Sequence, residues 1–538
     1  MLRLHSLGFL DHVFLDMRPW TRASIGPMLH DVNDHLEMES DDRPSSASEE
    51  AERIFDSMAD ELHFDRQKDC IIDDGNTRFE SAYSTVRVIS GTPLSDSFHL
   101  GSTVINDYGR PYARGFNNYT GLSGYASRGR YTIYARGEFQ GAPSATGYSA
   151  ALAGELSNID AISFINPATG VPYYQATIPL GSIGATARVR LLEAYISASV
   201  LNNVISFGKL DEWLSPAQGG AMAYSNNAEN IYAFRINRVE PLRIPGLSKI
   251  TGPFRYEFLV GPLHGHTEIA PTANSWVNPG EPWLHAEKLS FRPTPNFEFG
   301  FERSVIWGGK GHAPITLHTF LRSFFSTSAP TPAVKNSPAD PGARFSAFDF
   351  TYRLPFLRNW LTLYTDSEVH DDVSPIDAPR RAAIRPGLYL SHVPGIPKLD
   401  VRAEAVSTDP SISNSQGGQF MYWEVIQKQG YTNNGSLIGD WVGREGKGGQ
   451  GWLTYHLSGN EWVQVEVRNQ KAAKDFIPGG TTINDLNFQI VKRLRKDLEL
   501  NGQFRFEHWK APIYLNGQQR VTSTAVQLTW FPKRQIRF

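Results

Sequence analysis

The stretch RYTIYARGEFQ, residues 130–140, decides the fold. Tyr131, Ile133, Ala135, Gly137 and Phe139 fall on one side of an extended chain; Arg130, Thr132, Tyr134, Arg136, Glu138 and Gln140 fall on the other. A period of two is the signature of a β-strand with one apolar and one polar face. The pattern recurs outward in both directions. Leu399, Val401, Ala403 and Ala405 oppose Asp400, Arg402 and Glu404, and Val463, Val465 and Val467 oppose Gln464, Glu466 and Arg468. Phe348, Phe350 and Tyr352 oppose Asp349, Thr351 and Arg353; Leu498, Leu500, Gly502, Phe504 and Phe506 oppose Glu499, Asn501, Gln503, Arg505 and Glu507. Roughly 18 to 20 such segments follow residue 77, each of about 9 to 13 residues, the length of a tilted strand crossing a bilayer.

A soluble sandwich or propeller would bury the apolar face in a core, whereas a membrane barrel turns it to lipid and wets the charged face in a lumen. Three features favour the barrel: strand length, both charge signs on the polar faces, and tryptophans at segment ends (Trp360, Trp423, Trp452, Trp462, Trp509 and Trp530) where interfacial girdles form. The chain closes on VQLTWFPKRQIRF, an amphipathic strand interrupted at Pro532 and ending on Phe538, like the terminal insertion signal of bacterial outer-membrane barrels.

Composition agrees. Of 538 residues, 52 are Lys or Arg and 55 Asp or Glu, a net charge of −3 that disfavours nucleic acid as a partner. Gly and Pro, 47 and 34, together make about 15%, which suits turns and strands better than long helices. The mean hydropathy is −0.35 and no apolar run reaches the ~18 residues of a membrane helix. Residues 161–187, the longest uncharged stretch, carry Pro167, Pro172 and Pro179 and read as a loop. Cys70 is the sole cysteine, so no internal disulfide or cysteine metal cluster can form.

Residues 1–70 break the pattern. Ile25, Met28, Leu29, Val32 and Leu36, then Ala51, Ile54, Phe55, Met58 and Leu62, have helical spacing, and DDRPSSASEE between them offers a break at Pro44 and a capping box of Ser46 with Glu49. The expectation is an N-terminal helical periplasmic domain over 1–70 and an outer-membrane β-barrel over 71–538. Asp11, His12 and Asp16 interrupt what would be the apolar core of an export signal.

Long stretches of this sequence resemble the capsule assembly protein Wzi family: VFLDMRPWTRASIGPMLHDV (13–32), GSTVINDYGRPYARGFN (101–117), GRYTIYARGEFQGAP (129–143), YSAALAGEL (148–156), ISFGKLDEWLSP (205–216), GGAMAYSNNAENIYAFRINRVEP (219–241), NFEFGFERSVIWGGKG (296–311) and RLPFLRNWLTLYTDSEVHDDVSPIDAPRRA (353–382). The resemblance implies an all-β transmembrane barrel of about 18 antiparallel strands with lumen-plugging loops and helices. It also implies a non-enzymatic lectin anchoring capsular or extracellular polysaccharide at the cell outer membrane. Such a protein needs an export signal, so the start as given is expected to lack one. Expected partners are that polysaccharide and outer-membrane lipid, with a monomer, no cofactor and no metal. The alternative is a pore for small solutes, since ~18 strands enclose a channel unless plugged. Residues 142–186 and 310–342 are expected to supply the plug.

Two polar clusters suit sugar contact, which pairs aromatic platforms with carboxylates, amides or arginine. One comprises Asp211, Glu212 and Trp213 with Trp283, Arg303, Trp307, Lys310 and His312, expected to converge if their strand ends meet at one mouth. The other is TDSEVHDDVSPIDAPRR, with Asp366, Glu368, His370, Asp371, Asp372, Asp377, Arg380 and Arg381. Its carboxylates could hold a hard cation, but the spacing is not an EF-hand and an ion-paired loop is favoured. Catalysis is not expected: Asp211 and Glu212 are adjacent, so on a strand they point apart; Glu298 and Glu302 have no readable separation; there is no GxSxG; and GGKGH (308–312) lacks the context of a phosphate loop.

Overall fold

The computed structural model describes the chain except residues 41–44, 67–69, 72–75, 167, 267–279, 310–311, 328–329, 336, 338, 372–380, 411–416, 533–534 and 538. Its body is a closed antiparallel barrel of eighteen strands. In chain order these are β1 Asn76–Ser90, β2 Gly115–Arg128, β3 Tyr131–Ala142, β4 Thr186–Val200, β5 Asn203–Lys209, β6 Tyr232–Arg238, β7 Phe254–Pro262, β8 Trp283–Thr294 and β9 Phe297–Trp307. They continue as β10 Ala343–Arg353, β11 Leu361–His370, β12 Ala383–Leu390, β13 Leu399–Ser407, β14 Gly446–His456, β15 Trp462–Ala472, β16 Thr481–Arg495, β17 Leu498–Ala511 and β18 Leu515–Trp530. Each pairs with its sequence neighbour, and β18 closes on β1 from Thr522↔Ser90 to Trp530↔Ala82. Pro532 ends β18, having no N–H to give a ladder, and pairing with β1 resumes at Gln535–Arg537. Phe538 lies outside the described residues.

The alternation has the expected sense. On β3 Glu138 and Gln140 are buried while Ile133 and Phe139 are exposed; on β17 Arg505 and Glu507 are buried while Phe504 and Phe506 are exposed. The apolar face therefore turns outward on a closed sheet, which only a lipid surround stabilises; the protein is a membrane barrel. The tryptophans divide. Trp360 and Trp530 are exposed near strand ends, as a girdle requires, but Trp452 and Trp509 are buried on the inward face, Trp509 donating to Thr92 O at 2.9 Å. Trp423 is on no strand and belongs to an inner loop.

One end of the barrel has short turns, such as 129–130, 201–202, 295–296 and 496–497; the other carries the long connections 91–114, 143–185, 210–231, 308–342 and 408–445. Helices α1 Leu2–Leu7, α2 Arg22–Ser40 and α3 Ser46–Leu62 sit at the short-turn end, sharing a core of Leu4, Leu29, Val32, Ile54 and Phe55. Ser45, not Ser46, caps α3, its side chain accepting from Ser48 N, so the Ser46–Glu49 box does not form. Arg3 fastens this unit by donating to Pro397 O at 2.9 Å and pairing with Glu50 at 2.9 Å, and Arg353 of β10 donates to His5 O at 2.9 Å. Residues 11–20 then enter the lumen. Leu15 N donates to Glu298 at 2.9 Å, Arg292 to Val13 O at 2.9 Å, and Arg18 N to Trp213 O at 3.0 Å.

Candidate functional site: the plugged long-loop mouth

The inward polar face holds loops rather than water. Arg385 of β12, fully buried, donates to Asp440 at 2.6 and 2.9 Å and to Glu404 of β13 at 2.8 Å, and lies over the Trp441 ring at 5.3 Å. Glu404 accepts from Gln218 N at 2.8 Å and Gly219 N at 3.0 Å, so one wall pair grips two loops, 210–231 and 408–445. Against the same Trp441 ring, 5.3 Å away, Arg468 of β15 pairs with Asp485 at 2.9 Å and Glu507 at 3.2 Å while donating to Thr103 O at 3.1 Å; Thr103 Oγ1 donates back to Glu507 at 2.6 Å. Buried charges are tolerated only when paired and hydrogen-bonded. Both signs on the strands are thus the complement of the plug.

Three loops are tied at one point. His99 of loop 91–114 gives Nδ1 to Asp96 at 3.1 Å and Nε2 to Asp160 of loop 143–185 at 2.9 Å, and Arg444 of loop 408–445 takes the other Asp160 oxygen at 2.5 Å. An imidazole with both nitrogens on carboxylates must donate from both, so it is the cation. Burial opposes that charge, but Asp96 and Asp160 outweigh burial and raise the pKa to about 9. Helix α4, Ala150–Ile159, delivers Asp160 from a Ser149 cap, and Trp423 Nε1 donates to Asp160 O at 3.0 Å.

The sequence candidates do not converge. Glu212 is buried against Arg235 at 3.1 Å, Asp211 accepts from Tyr108 at 3.3 Å, and Trp213 is bridged to the incoming chain at Arg18, whose guanidinium lies 5.3 Å from its ring, deep in the lumen. Trp283 and Trp307 do meet, 6.1 Å apart and edge to face, but on the outward side of the wall. There Arg303 donates to Ser323 O at 3.0 Å and Phe324 O at 2.8 Å, and His312 contacts Asp340 at 3.2 Å. Glu368 faces the lumen, fully buried, and His370 is stacked between Phe345 and Phe420 at 4.2 and 4.1 Å. Asp371, paired with Lys335 at 3.2 Å, stays partly exposed at the rim. Asp372, Asp377, Arg380 and Lys310 lie outside the described residues. Glu298 holds Leu15 N and Glu302 lies 3.5 Å from Lys288, both buried. Among the described residues no group of three or more His, Cys, Asp or Glu is placed to hold a metal.

The plug was only partly foreseen. The described residues of 143–185 contribute to the plug, but the helical part of the second segment does not: Gly308 and Gly309, at φ 69° and 97°, turn the chain over the rim, and helix α5, Leu317–Phe325, packs outside against Phe258, His285 and Trp307, while Lys335 lies 3.4 Å from Glu424 of the plug. Loops 91–114, 210–231 and 408–445 do the rest, and Asp96, His99, Asp160, Asp440 and Arg444 were missed; the one local hint is Asp96 three residues before His99. A concavity of about 750 Å³ opens on the outer wall by Gly449, Gly451, Val467, Asn469, Leu486 and Phe506, where lipid lies; inside the plug a void of about 50 Å³ lies among Ser95, Ser102, Thr103, Asp107, Arg110 and Asn227.

The mouth itself presents aromatics. A hairpin closed by Tyr173 N to Phe164 O, 2.9 Å, leaves Tyr174 exposed, and half-buried Trp423 lies 5.2 Å from Lys428 Nζ.

The family profile of the capsule assembly protein Wzi matches residues 85–524, most of the barrel. The chain belongs to the Wzi family. Its fold is similar to that of Wzi from Escherichia coli, described as an outer-membrane protein involved in group 1 capsule assembly and a carbohydrate-binding β-barrel. That likeness has a TM-score of 0.64 at 16% identity, covering 98% of this chain and 97% of that one. A Klebsiella pneumoniae protein, "Uncharacterized 55.8 kDa protein in cps region", is 24% identical over 182 residues, 34% of this chain, and the match spans 33% of that relative's length. Pseudomonas aeruginosa OpdQ is a more remote match, with a TM-score of 0.43 at 9% identity over 86% of this chain and 98% of its own. A closed β-barrel with an apolar outer face, this member of the family is an outer-membrane protein.

Proposed function

We propose that this Wzi-family barrel binds capsular or extracellular polysaccharide at its long-loop mouth and retains it on the cell surface. Long barrel loops generally face outward and short turns face the periplasm, which supports a reading with the plug's outer rim at the surface and the unit of residues 1–70 in the periplasm. The observation that carries the reading is the filled lumen. An eighteen-strand wall encloses enough space for a channel, yet loops fixed by Arg385–Asp440, Arg468–Glu507 and His99–Asp160 occupy it. This favours a binding surface over a solute pore. Binding rather than turnover is supported by the candidate carboxylates, since Glu212 and Glu298 are buried on protein partners away from the mouth. The chemistry for sugar lies instead at Trp423 with Lys428, Tyr174, and the rim carboxylate Asp371; the E. coli Wzi description as a carbohydrate-binding β-barrel agrees with it.

Replacing Trp423 by Ala should weaken binding of purified extracellular polysaccharide by about 1–3 kcal/mol, about 5- to 150-fold, the range for an aromatic stacking platform. Calorimetry with the detergent-solubilised protein reads it. Unchanged affinity in a correctly folded Trp423→Ala and Tyr174→Ala pair would refute the site, and native single-channel conductance would restore the pore reading.

A further inference from the structure

Residues 317–326 lie over wall positions that should be apolar. Counting by parity from inward Lys288 and Glu302, His285, Glu287 and Arg303 point outward, as does Arg344 on β10. Left bare, these polar groups would meet hydrocarbon, where an unpartnered one costs several kcal/mol. Helix α5 covers them. Ser323 Oγ meets His285 Nε2 at 2.9 Å, and His285 Nδ1 lies 2.8 Å from Glu287. Arg303 takes the last carbonyls of the helix, and Arg344 donates to Ser326 Oγ at 3.1 Å. His312 with Asp340, both buried, joins the two ends of the excursion.

The outer face of α5 is apolar again. Leu317, Leu321 and Phe325, four residues apart, form one ridge and are 72%, 42% and 68% exposed, more than their neighbour Phe324 beneath. The ridge continues the exposed band below it, where Leu289 stands on β8. Along its edge run exposed His318 and Arg322, also four apart. An apolar ridge with a basic margin is how a helix lies in a membrane interface. The strand ends it covers, at Trp283 and Trp307, place it at the long-loop rim, where headgroup phosphates begin.

We propose that α5 is a lipid-binding site of the outer leaflet: acyl chains pack on Leu317, Leu321 and Phe325 while an anionic phosphate headgroup is held by Arg322. It rests on the outward assignment of the long loops and is independent of sugar binding. The test uses the full chain with Cys70→Ser and single spin labels at Leu317→Cys, Leu321→Cys, Phe325→Cys and Arg322→Cys, in vesicles, with heat-modifiable gel migration confirming each barrel. The first three labels should collide with oxygen and be shielded from a water-soluble nickel chelate, and the fourth should be intermediate. Nickel accessibility at all four would put the helix in water with the sugar-facing loops, and shielding from both reagents would mean a protein cover; either overturns the proposal. Phosphatidylglycerol with a fluorescent chain, titrated into the protein in zwitterionic detergent, should bind more tightly than phosphatidylcholine. Arg322→Gln should remove roughly fivefold of that affinity, about 1 kcal/mol. Equal affinities, or no effect of Arg322→Gln, would overturn the anionic part.

Discussion

Replacing Arg385 by Met tests whether charge pairing keeps the lumen shut. Arg385 is fully buried and makes three charged hydrogen bonds, two to Asp440 in the plug and one to Glu404 on the neighbouring strand. Removing the guanidinium takes away the cation hydrogen-bonded to both carboxylates and leaves Glu404 only the field of Arg402, and breaking a buried pair from one side costs about 3–5 kcal/mol. Loop 408–445 has other anchors, Arg444 on Asp160 and Ser225 Oγ on Ile438 O at 2.9 Å, so the loop should loosen rather than leave. At 1.4 kcal/mol per decade the open population should rise by about two to three and a half decades. Planar-bilayer conductance and limited proteolysis of loop 408–445 in intact vesicles both report it. Asp440→Asn gives a loop-side counterpart that leaves the wall untouched, and the double variant should show a coupling of about 0.5–3 kcal/mol, since the two bond each other directly. If Arg385→Met is as silent in the bilayer as the native protein and its loop as protease-resistant, ion pairing does not hold the plug.

The His99 tie has a pH signature. Its folded pKa is raised to about 9, above the ordinary ~6.5, so its contribution is fully present below pH 6.5 and is lost as pH climbs through about 9; thermal unfolding followed by heat-modifiable migration should show stability falling over that window, with His99→Gln abolishing the trend. His35, raised to about 9 by its contact with Asp11 in the helical unit, should give the same sign in that unit, absent in His35→Ala. Deleting residues 1–63 should leave a barrel that inserts but conducts, because Glu298 and Arg353 lose Leu15 N and His5 O as partners; failure to insert would make the unit part of the folding core.

Period-two alternation is local, so every strand that reads like 130–140 was legible without a fold, and so were the outward sense of Phe504 and Val467 and the lumen sense of Arg505 and Arg468. Hydrocarbon outside and paired charge inside leave no other sorting once the sheet closes. Trp509 misled because a tryptophan near a strand end looks the same on either face until the parity of its neighbours assigns it, and Trp452 because it sits in the middle of β14 rather than at an end. The plug was not legible. Arg444 meets Asp160 across 284 positions and Arg18 reaches Ser215 across 197, and no periodicity joins residues that far apart. Helix α5 shows the limit best. Its amphipathic pattern fits a lumen or an outer wall equally well, and the choice was made by His285 and Arg303, polar groups on the lipid side of β8 and β9 that need a cover. Local sequence determined which residues alternate; which surface the connecting segments must cover was decided only when the closed wall gave each strand an inside and an outside.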